Sequence, residues 1–298
     1  LNRPVKIVID AGNGTAGPVA SALFKKLGAE VIELYTEMDG HFPNHHPDPT
    51  LPEALKDLVA KVKETGAEAG LAYDGDADRL GAVDDQGQII WGDQLMIIFA
   101  RDLLPSHPGA AIISEVKASH LLYDEISRLG GRAIMWKTGH SLIKEKIKEE
   151  KALLAGEMSG HLFFADRWFG FDDAIYSSAR LVEIMSRQGK KLSAYLADLP
   201  PVYNTPEIRI YASDEVKFKI VDLVRLELSR QPDIKKMIDI DGVRAVFEHG
   251  WGLVRASNTQ PVLVLRFEAD SQEELSQIEQ KVKGSLEAVL KNLNNKQK

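Results

Sequence analysis

Val5-Lys6-Ile7-Val8-Ile9-Asp10-Ala11-Gly12-Asn13-Gly14-Thr15-Ala16-Gly17 decides the architecture. Its first six residues are apolar apart from Lys6 and the terminal aspartate, which predicts a buried strand. The glycines allow a tight turn, and apolar residues then recur at a spacing near 3.6 over 16–27, which predicts a helix. A strand over 29–35 and a helix over 51–65 continue the alternation, the pattern of a parallel-sheet α/β unit. The literal G-x-G-x-x-G beginning at Gly12, with Glu33 about 20 residues on, also fits a dinucleotide fingerprint and hence an NAD-dependent enzyme. Against that, Asp10 stands where its charge would oppose a pyrophosphate, and the glycines equally serve a plain strand-to-helix turn.

Further along, a strand is expected over 69–73 and a hairpin over 79–84 and 88–91, around Asp85-Gln86-Gly87. A second α/β alternation follows: helix to 104, strand 110–114, helix 120–129, strand 132–136, helix 141–149, strand 152–155 and helix 173–188. Leu199-Pro200-Pro201-Val202-Tyr203-Asn204-Thr205-Pro206 reads as a linker. Beyond it the order changes to strand 207–211, helix 214–230, a strand pair 242–248 and 251–256 around His249-Gly250, strand 261–268, and a helix from 271 into a frayed polar tail at 292–298. The expected class is therefore α/β: two consecutive α/β domains with mixed, mostly parallel sheets (1–91 and 92–203), then a C-terminal α+β antiparallel domain (204–298). No internal repeat stands out.

A chain of 298 residues is long enough for two or three full cores, and 44% hydrophobic with 27% charged residues is ordinary for a globular protein. The net charge of −7 argues against general nucleic-acid or membrane binding while leaving room for a local basic pocket. No apolar run is long enough to span a bilayer and no signal-peptide pattern opens the chain, so the cytoplasm is the expected location. The absence of cysteine excludes disulfides, thiolate zinc sites and cysteine nucleophiles. The start at Leu1, almost directly in a strand, raises the expectation of a piece of a longer protein.

Asp74-Gly75-Asp76-Ala77-Asp78-Arg79 follows the apolar run Gly70 to Tyr73. Carboxylates about 4 to 5 Å apart repel by several kcal/mol per pair at an effective dielectric of roughly 20, so a loop converging three of them calls for a cation. Oxygen-only ligands favour Mg²⁺ or Ca²⁺, and Arg79 is placed to hold a phosphate that also touches the metal. A solvated acidic turn explains one aspartate and the glycine, but not three aspartates in register. An EF-hand loop fails because Arg79 replaces its turn glycine and Asp85 its bidentate glutamate.

Other loops carry chemistry too. Lys117, with Ser119 and His120 beside it, stands past the carboxyl end of a strand, where open α/β sheets bind ligands. Thr138-Gly139-His140 ends the next strand, with Ser141 as the expected helix cap. Gly156-Glu157-Met158-Ser159-Gly160-His161 frames a carboxylate, a hydroxyl and an imidazole, a set suited to vicinal sugar hydroxyls. Arg255-Ala256-Ser257-Asn258-Thr259-Gln260-Pro261 is rich in donors and free of carboxylates, which suits a phosphate; several free backbone N–H groups are expected there.

These loops, with Phe42-Pro43-Asn44-His45-His46-Pro47-Asp48-Pro49 between them, resemble in their order the α-D-phosphohexomutase superfamily, most closely its bacterial phosphomannomutase/phosphoglucomutase branch. The resemblance covers the whole chain. It implies a metabolic isomerase that moves phosphate reversibly between the 1 and 6 positions of mannose or glucose phosphates through a bisphosphorylated sugar. It implies Mg²⁺ on Asp74, Asp76, Asp78 and a phosphoserine oxygen, with Arg79 touching the phosphoserine or the transferring phosphate. Glu157 and Ser159 match the loop that reads sugar hydroxyls. Arg255, Ser257, Asn258 and Thr259 match the loop that grips the phosphate not being transferred, and Lys117, His140 and His161 are the acid/base and electrostatic candidates. A glucose 1,6-bisphosphate-type activator and a monomer belong to the same expectation. The family's first domain, with its Thr-Ala-Ser-His-Asn-Pro phosphoserine motif, has no counterpart; Ala118-Ser119-His120 and Ser106-His107-Pro108 are superficial echoes. The chain alone is thus expected to be inactive, and a non-catalytic sugar-phosphate-binding module is the competing reading.

Overall fold

The computed structural model describes residues 1–295, so the last three positions of the expected polar tail lie outside the described residues. The chain forms two compact units, Leu1–Leu199 and Pro200–Lys298.

The first unit contains two sheets. One is built from β1 (Lys6–Asp10), α1 (Gly17–Leu27), β2 (Glu30–Leu34), α2 (Lys56–Thr65), β3 (Ala69–Tyr73), β4 (Leu80–Asp84) and β5 (Ile89–Ile90), in the order β2-β1-β3-β4-β5. β1 runs parallel to both β2 and β3, and β4 returns antiparallel to β3. α1 buries Ala20 and Phe24, keeps Lys25 and Lys26 in its last turn, and ends at Gly28 in the left-handed region. The expected helix over 51–65 begins instead as a 3₁₀ turn, Pro52–Leu55, with a proline in its opening positions.

The second sheet takes α3 (Gly92–Leu103), β6 (Ala111–Glu115), α4 (His120–Arg128), β7 (Arg132–Trp136), α5 (His140–Glu150), β8 (Leu154–Gly156), β9 (Leu162–Phe164) and α6 (Ala174–Gln188), ordered β7-β6-β8-β9. Again β6 is parallel to both neighbours, and β9 returns antiparallel to β8. The two sheets thus repeat one topology that the sequence does not display as a repeat. Each ends its parallel set in a hairpin, and these hairpins carry the aspartate loop and the Glu157 loop. The sequence reading missed β9. α5 begins at His140 with Gly139 as its cap and no side-chain capping bond, which corrects the expectation for Ser141.

The second unit consists of β10 (Tyr203–Asn204), β11 (Ile208–Tyr211), α7 (Lys217–Leu228), β12 (Lys236–Ile238), β13 (Val243–Val246), β14 (Gly250–Ala256), β15 (Val262–Ala269) and α8 (Gln272–Asn295). Its sheet is antiparallel, ordered β10-β15-β14-β13-β12, with β11 also on β15. Val224 of α7 and Ile278 and Val282 of α8 close its core with Leu265 and Phe267. Two expectations change here. The proline-rich linker contains β10, because its two non-proline central residues pair with the end of β15, and the short β12 was not foreseen. α8 continues to Asn295, through most of the tail expected to fray. The class read from sequence, α/β sheets followed by an antiparallel α+β unit, is the class found. Among the described residues no helix is long and apolar enough to cross a membrane.

Candidate functional site: the aspartate loop and its neighbours

The aspartate loop spans the β3–β4 turn, where Ala77 takes a positive φ of 65° and folds the chain tightly enough to face the carboxylates inward. One oxygen from each of Asp74, Asp76 and Asp78 lies within 4.8 Å of the others. Asp74 is buried and accepts three hydrogen bonds: from the amides of Asp78 and Arg79, each 3.0 Å from Oδ1, and from Arg79 Nε, 2.6 Å from Oδ2. An ionised carboxylate offers about four lone-pair positions, so Asp74 keeps one for a cation. With an all-oxygen donor set, the residues fit Mg²⁺ or Ca²⁺. Burial pushes the Asp74 carboxyl up, against the Arg79 bonds that pull it down, while His161 holds Asp78 low.

His161 joins this loop to the one between β8 and β9. Its Nε2 lies 3.3 Å from Asp78 Oδ1 and its Nδ1 3.0 Å from Glu157 Oε2. Burial opposes a charge on this ring, but the bonds to Asp78 and Glu157 outweigh it and raise the imidazole to about 9. At neutral pH it is an imidazolium between two carboxylates. The backbones also meet, with Leu80 N donating to Gly160 O at 3.0 Å. Gly160 has a φ of +98°, and an added Cβ would sit 2.4 Å from Leu80 O, so only glycine allows this approach.

Glu157 is buried and accepts the Gly139 amide at 2.7 Å, which brings the Thr138-Gly139-His140 segment into the same network. Burial disfavours its charge, yet His161, the Gly139 N–H and the field of Lys117 together keep the carboxyl below its usual range. Ser159 Oγ lies 3.1 Å from His161 Nδ1. The His140 ring stacks on His161 at 5.5 Å and its Nδ1 lies 3.1 Å from Asp172 Oδ2, while the other Asp172 oxygen, Oδ1, accepts from Lys144 Nζ at 2.9 Å. Lys117 is buried 3.5 Å from Glu115 Oε2. Glu115, wholly buried, also accepts from Thr138 Oγ1 at 2.5 Å and the Met158 amide at 3.0 Å.

Of the site residues expected in the first unit, all but Asp76 are joined by these bonds, ion pairs and ring contacts; Asp76 is exposed and meets the set through the proximity of its carboxylate to those of Asp74 and Asp78. Sequence reasoning missed Glu115, Asp172 and Asp48. Glu115 left a signal, since an acid ending the apolar strand Ala111–Glu115 repeats the placing of Asp10 at the end of β1.

The glycine loop does not present an open pyrophosphate cradle. Thr15 N donates to Gly75 O at 3.0 Å, and a Cβ added at Gly14 would lie 2.8 Å from that same carbonyl. Glu33, the acid a dinucleotide ribose would need, is bonded by Ser21 and Lys25. The glycines seat the aspartate loop, and this displaces the NAD reading.

In the second unit Arg255, at the end of β14, is buried and donates from Nε to Asp241 Oδ2 at 2.9 Å. Ser257 Oγ accepts the amides of Thr259 at 3.3 Å and Gln260 at 3.1 Å, and Lys217 Nζ donates to Gln260 O at 3.1 Å. Asn258 and Thr259 are exposed. One sequence expectation is corrected: several of the loop's amides serve its own turn. The stretch itself is free of carboxylates as read, and Asp241 reaches its arginine from outside it.

The first unit thus sets a carboxylate cage fit for a hard cation, an arginine beside it and a buried Glu–His pair on the adjoining hairpin of one α/β fold. Comparison with known proteins narrows this. Family models match three consecutive stretches: "Phosphoglucomutase/phosphomannomutase, alpha/beta/alpha domain II" at residues 1–87, "alpha/beta/alpha domain III" at 91–203, and the "C-terminal domain" at 215–285. The chain belongs to the α-D-phosphohexomutase superfamily. It is 55% identical over 280 residues to a phosphomannomutase/phosphoglucomutase of Pseudomonas putida, covering 93% of this chain and 60% of that protein. It is 49% identical over 292 residues to a phosphoglucomutase of Neisseria gonorrhoeae, covering 97% and 62%. A crystal structure of a phosphoglucomutase/phosphomannomutase family protein from Burkholderia thailandensis superposes with a TM-score of 0.90 at 49% identity, over 97% of this chain and 61% of that one. The chain thus spans about three-fifths of the length of these relatives. The fold also matches, at 15% identity and a TM-score of 0.70, over 96% of this chain and 62% of that one, an Aspergillus fumigatus N-acetylphosphoglucosamine mutase solved with GlcNAc-6P and magnesium.

Proposed function

We propose that this chain is the metal-, sugar- and phosphate-binding portion of a phosphohexomutase that interconverts mannose or glucose 1-phosphate with the 6-phosphate through a bisphosphorylated sugar. The observation that carries the reading is the His161 bridge, which ties Asp78 of the cation loop to Glu157 of the sugar-hydroxyl loop. Phosphoryl transfer needs charge neutralisation and in-line positioning more than covalent participation by the protein. Asp74, Asp76 and Asp78 would hold Mg²⁺, which when bound supplies positive charge beside the transferring phosphate. Arg79 adds a second positive group there. Glu157 and Ser159 accept and donate to vicinal hydroxyls and set the face of the sugar. Lys117, His140 and His161 supply positive field and proton-transfer capacity, with His161 serving mainly as a fixed cation because both its nitrogens face carboxylates. Arg255, Ser257, Asn258 and Thr259 grip the distal phosphate.

In this reading the protein is monomeric and cytoplasmic, and the segments 1–91, 92–203 and 204–298 are successive domains, a division supported by the family models at 1–87, 91–203 and 215–285. The nucleophilic serine is supplied from outside these residues, so the chain alone does not turn over, and a glucose 1,6-bisphosphate-type activator primes the complete protein. Calorimetric titration with glucose 1,6-bisphosphate in MgCl₂ tests the reading. Saturable binding that Glu157→Gln weakens is expected. Binding indifferent to Glu157, or binding of NAD in its place, contradicts it.

A further inference from the structure

Arg79 is held at two of its three guanidinium nitrogens. Nε donates to Asp74 at 2.6 Å, and Nη1 donates to Asp48 Oδ1 at 3.0 Å. Asp74 is a near neighbour in the loop, but Asp48 comes from the turn over 42–49, which the sequence reading used only as a family marker. The same Asp48 oxygen accepts the Thr50 amide at 3.0 Å and the Thr50 hydroxyl at 2.7 Å. That Asx turn explains the Thr50 bonds and leaves the bond to Arg79 unexplained.

The turn itself is fastened to the floor of the site. His45 Nε2 lies 3.1 and 3.2 Å from the two oxygens of fully buried Asp10, and its Nδ1 lies 3.0 Å from His46 O. Asn44 donates to Asn13 at 2.7 Å. Pro47 and Pro49 lie against glycines, so that a Cβ added at Gly12 or Gly81 would stand 2.8 Å or 2.7 Å from their Cβ atoms. Asp48 therefore reaches Arg79 from a rigid support on one side while Asp74 holds it on the other. Two carboxylates from separate segments fix the guanidinium plane, where one would leave it free to pivot. Among the described residues, Nη2 has no hydrogen-bond partner and stays available to an anion.

We propose that Asp48 is a positioning residue that acts through Arg79, fixing the guanidinium so that its Nη2 edge meets a phosphate oxygen of the substrate; this rests on the phosphohexomutase reading of the site. The test uses the full chain, with Asp48→Asn, Asp48→Glu, Arg79→Lys and the Asp48→Asn/Arg79→Lys double variant. ¹⁵N NMR of the arginine side chains reads rotation of the Arg79 guanidinium, and calorimetry with glucose 1,6-bisphosphate in MgCl₂ reads affinity. Distinct, slowly exchanging Nη signals are expected in the parent and averaged ones in Asp48→Asn, with affinity about tenfold weaker and partial recovery in Asp48→Glu. The double variant should bind no more weakly than Arg79→Lys alone. Unchanged Nη signals in Asp48→Asn, or full additivity in the double variant, overturn the proposal. If Arg79→Lys leaves affinity intact while Asp48→Asn still frees the guanidinium, the phosphate role of Arg79 fails together with the reading of the site, while the mechanical link stands. Should Asp48→Asn not fold, Thr50→Val removes one bond to Asp48 without touching Arg79 and should produce the same NMR change in smaller degree; no change there overturns the proposal too.

Discussion

The aspartate loop and the Arg255 loop carry opposite charge and are built in opposite ways. The first concentrates negative charge and is held from several directions: by the glycine loop through Thr15, by the 42–49 turn through Asp48, and by the Glu157 loop through His161. In the second, Asp241 orients the buried arginine, and Asn258 and Thr259 are exposed. Converging carboxylates repel each other before a cation arrives, so their geometry must be imposed by the surrounding structure. A donor-rich loop carries no such internal conflict, and a short Ser257-centred turn suffices to shape it.

The largest effect should follow from cutting the first region's support. His161→Ala leaves Asp78 and Glu157 without the cation between them, and denaturant unfolding should record a loss of about 3 kcal/mol. A change under about 0.5 kcal/mol would show that the bridge is not structural. Asn258→Ala in the second region should reverse the balance. Its unfolding should match the parent, while affinity for glucose 1,6-bisphosphate falls about fivefold by calorimetry. A comparable loss of stability would erase the contrast between the loops.

A pH series sharpens the comparison further. The bond to Asp10 raises the His45 imidazole to about 9, against burial. With a folded pKa above the unfolded value near 6.5, its contribution is complete below about pH 6.5 and disappears as pH rises through 9. His45→Asn should therefore cost on the order of 1 kcal/mol at pH 6 and almost nothing at pH 10 in paired thermal melts. A cost that does not change with pH would refute the charged pair. The smallest effect expected is that of Mg²⁺ alone. Without the phosphoserine oxygen, millimolar MgCl₂ should move the melting temperature by less than about 1 °C, and tight stoichiometric binding would contradict this.

Much of this was legible in the sequence because strand–helix alternation and loop composition are local signals. The apolar run from Gly70 to Tyr73 and the three aspartates announce a strand ending in a cation loop without any tertiary knowledge. What stayed hidden depended on pairing between distant segments. The strand β9 is three residues long and exists because it pairs with β8, and Tyr203–Asn204 looked like linker because only its register with β15 makes it a strand. Asp48 and Asp172 were unreadable as site residues for the same reason: their significance lies in the Arg79 and His140 side chains that the fold brings to them. Gly12 to Gly17 is the reverse case: the local motif fits a nucleotide and a plain tight turn alike, the charge of Asp10 already weighs against the nucleotide, and the packing of Gly75 on Gly14 agrees with the turn.

The most direct test of the account is a coupled assay converting glucose 1-phosphate to glucose 6-phosphate, run on this chain alone and on the chain mixed with the N-terminal two-fifths of the Pseudomonas putida relative. The account predicts no turnover by the chain alone and measurable turnover in the mixture. Turnover by the chain alone, or binding of the added segment and of substrate without any turnover, would contradict it, the latter favouring a sugar-phosphate-binding module.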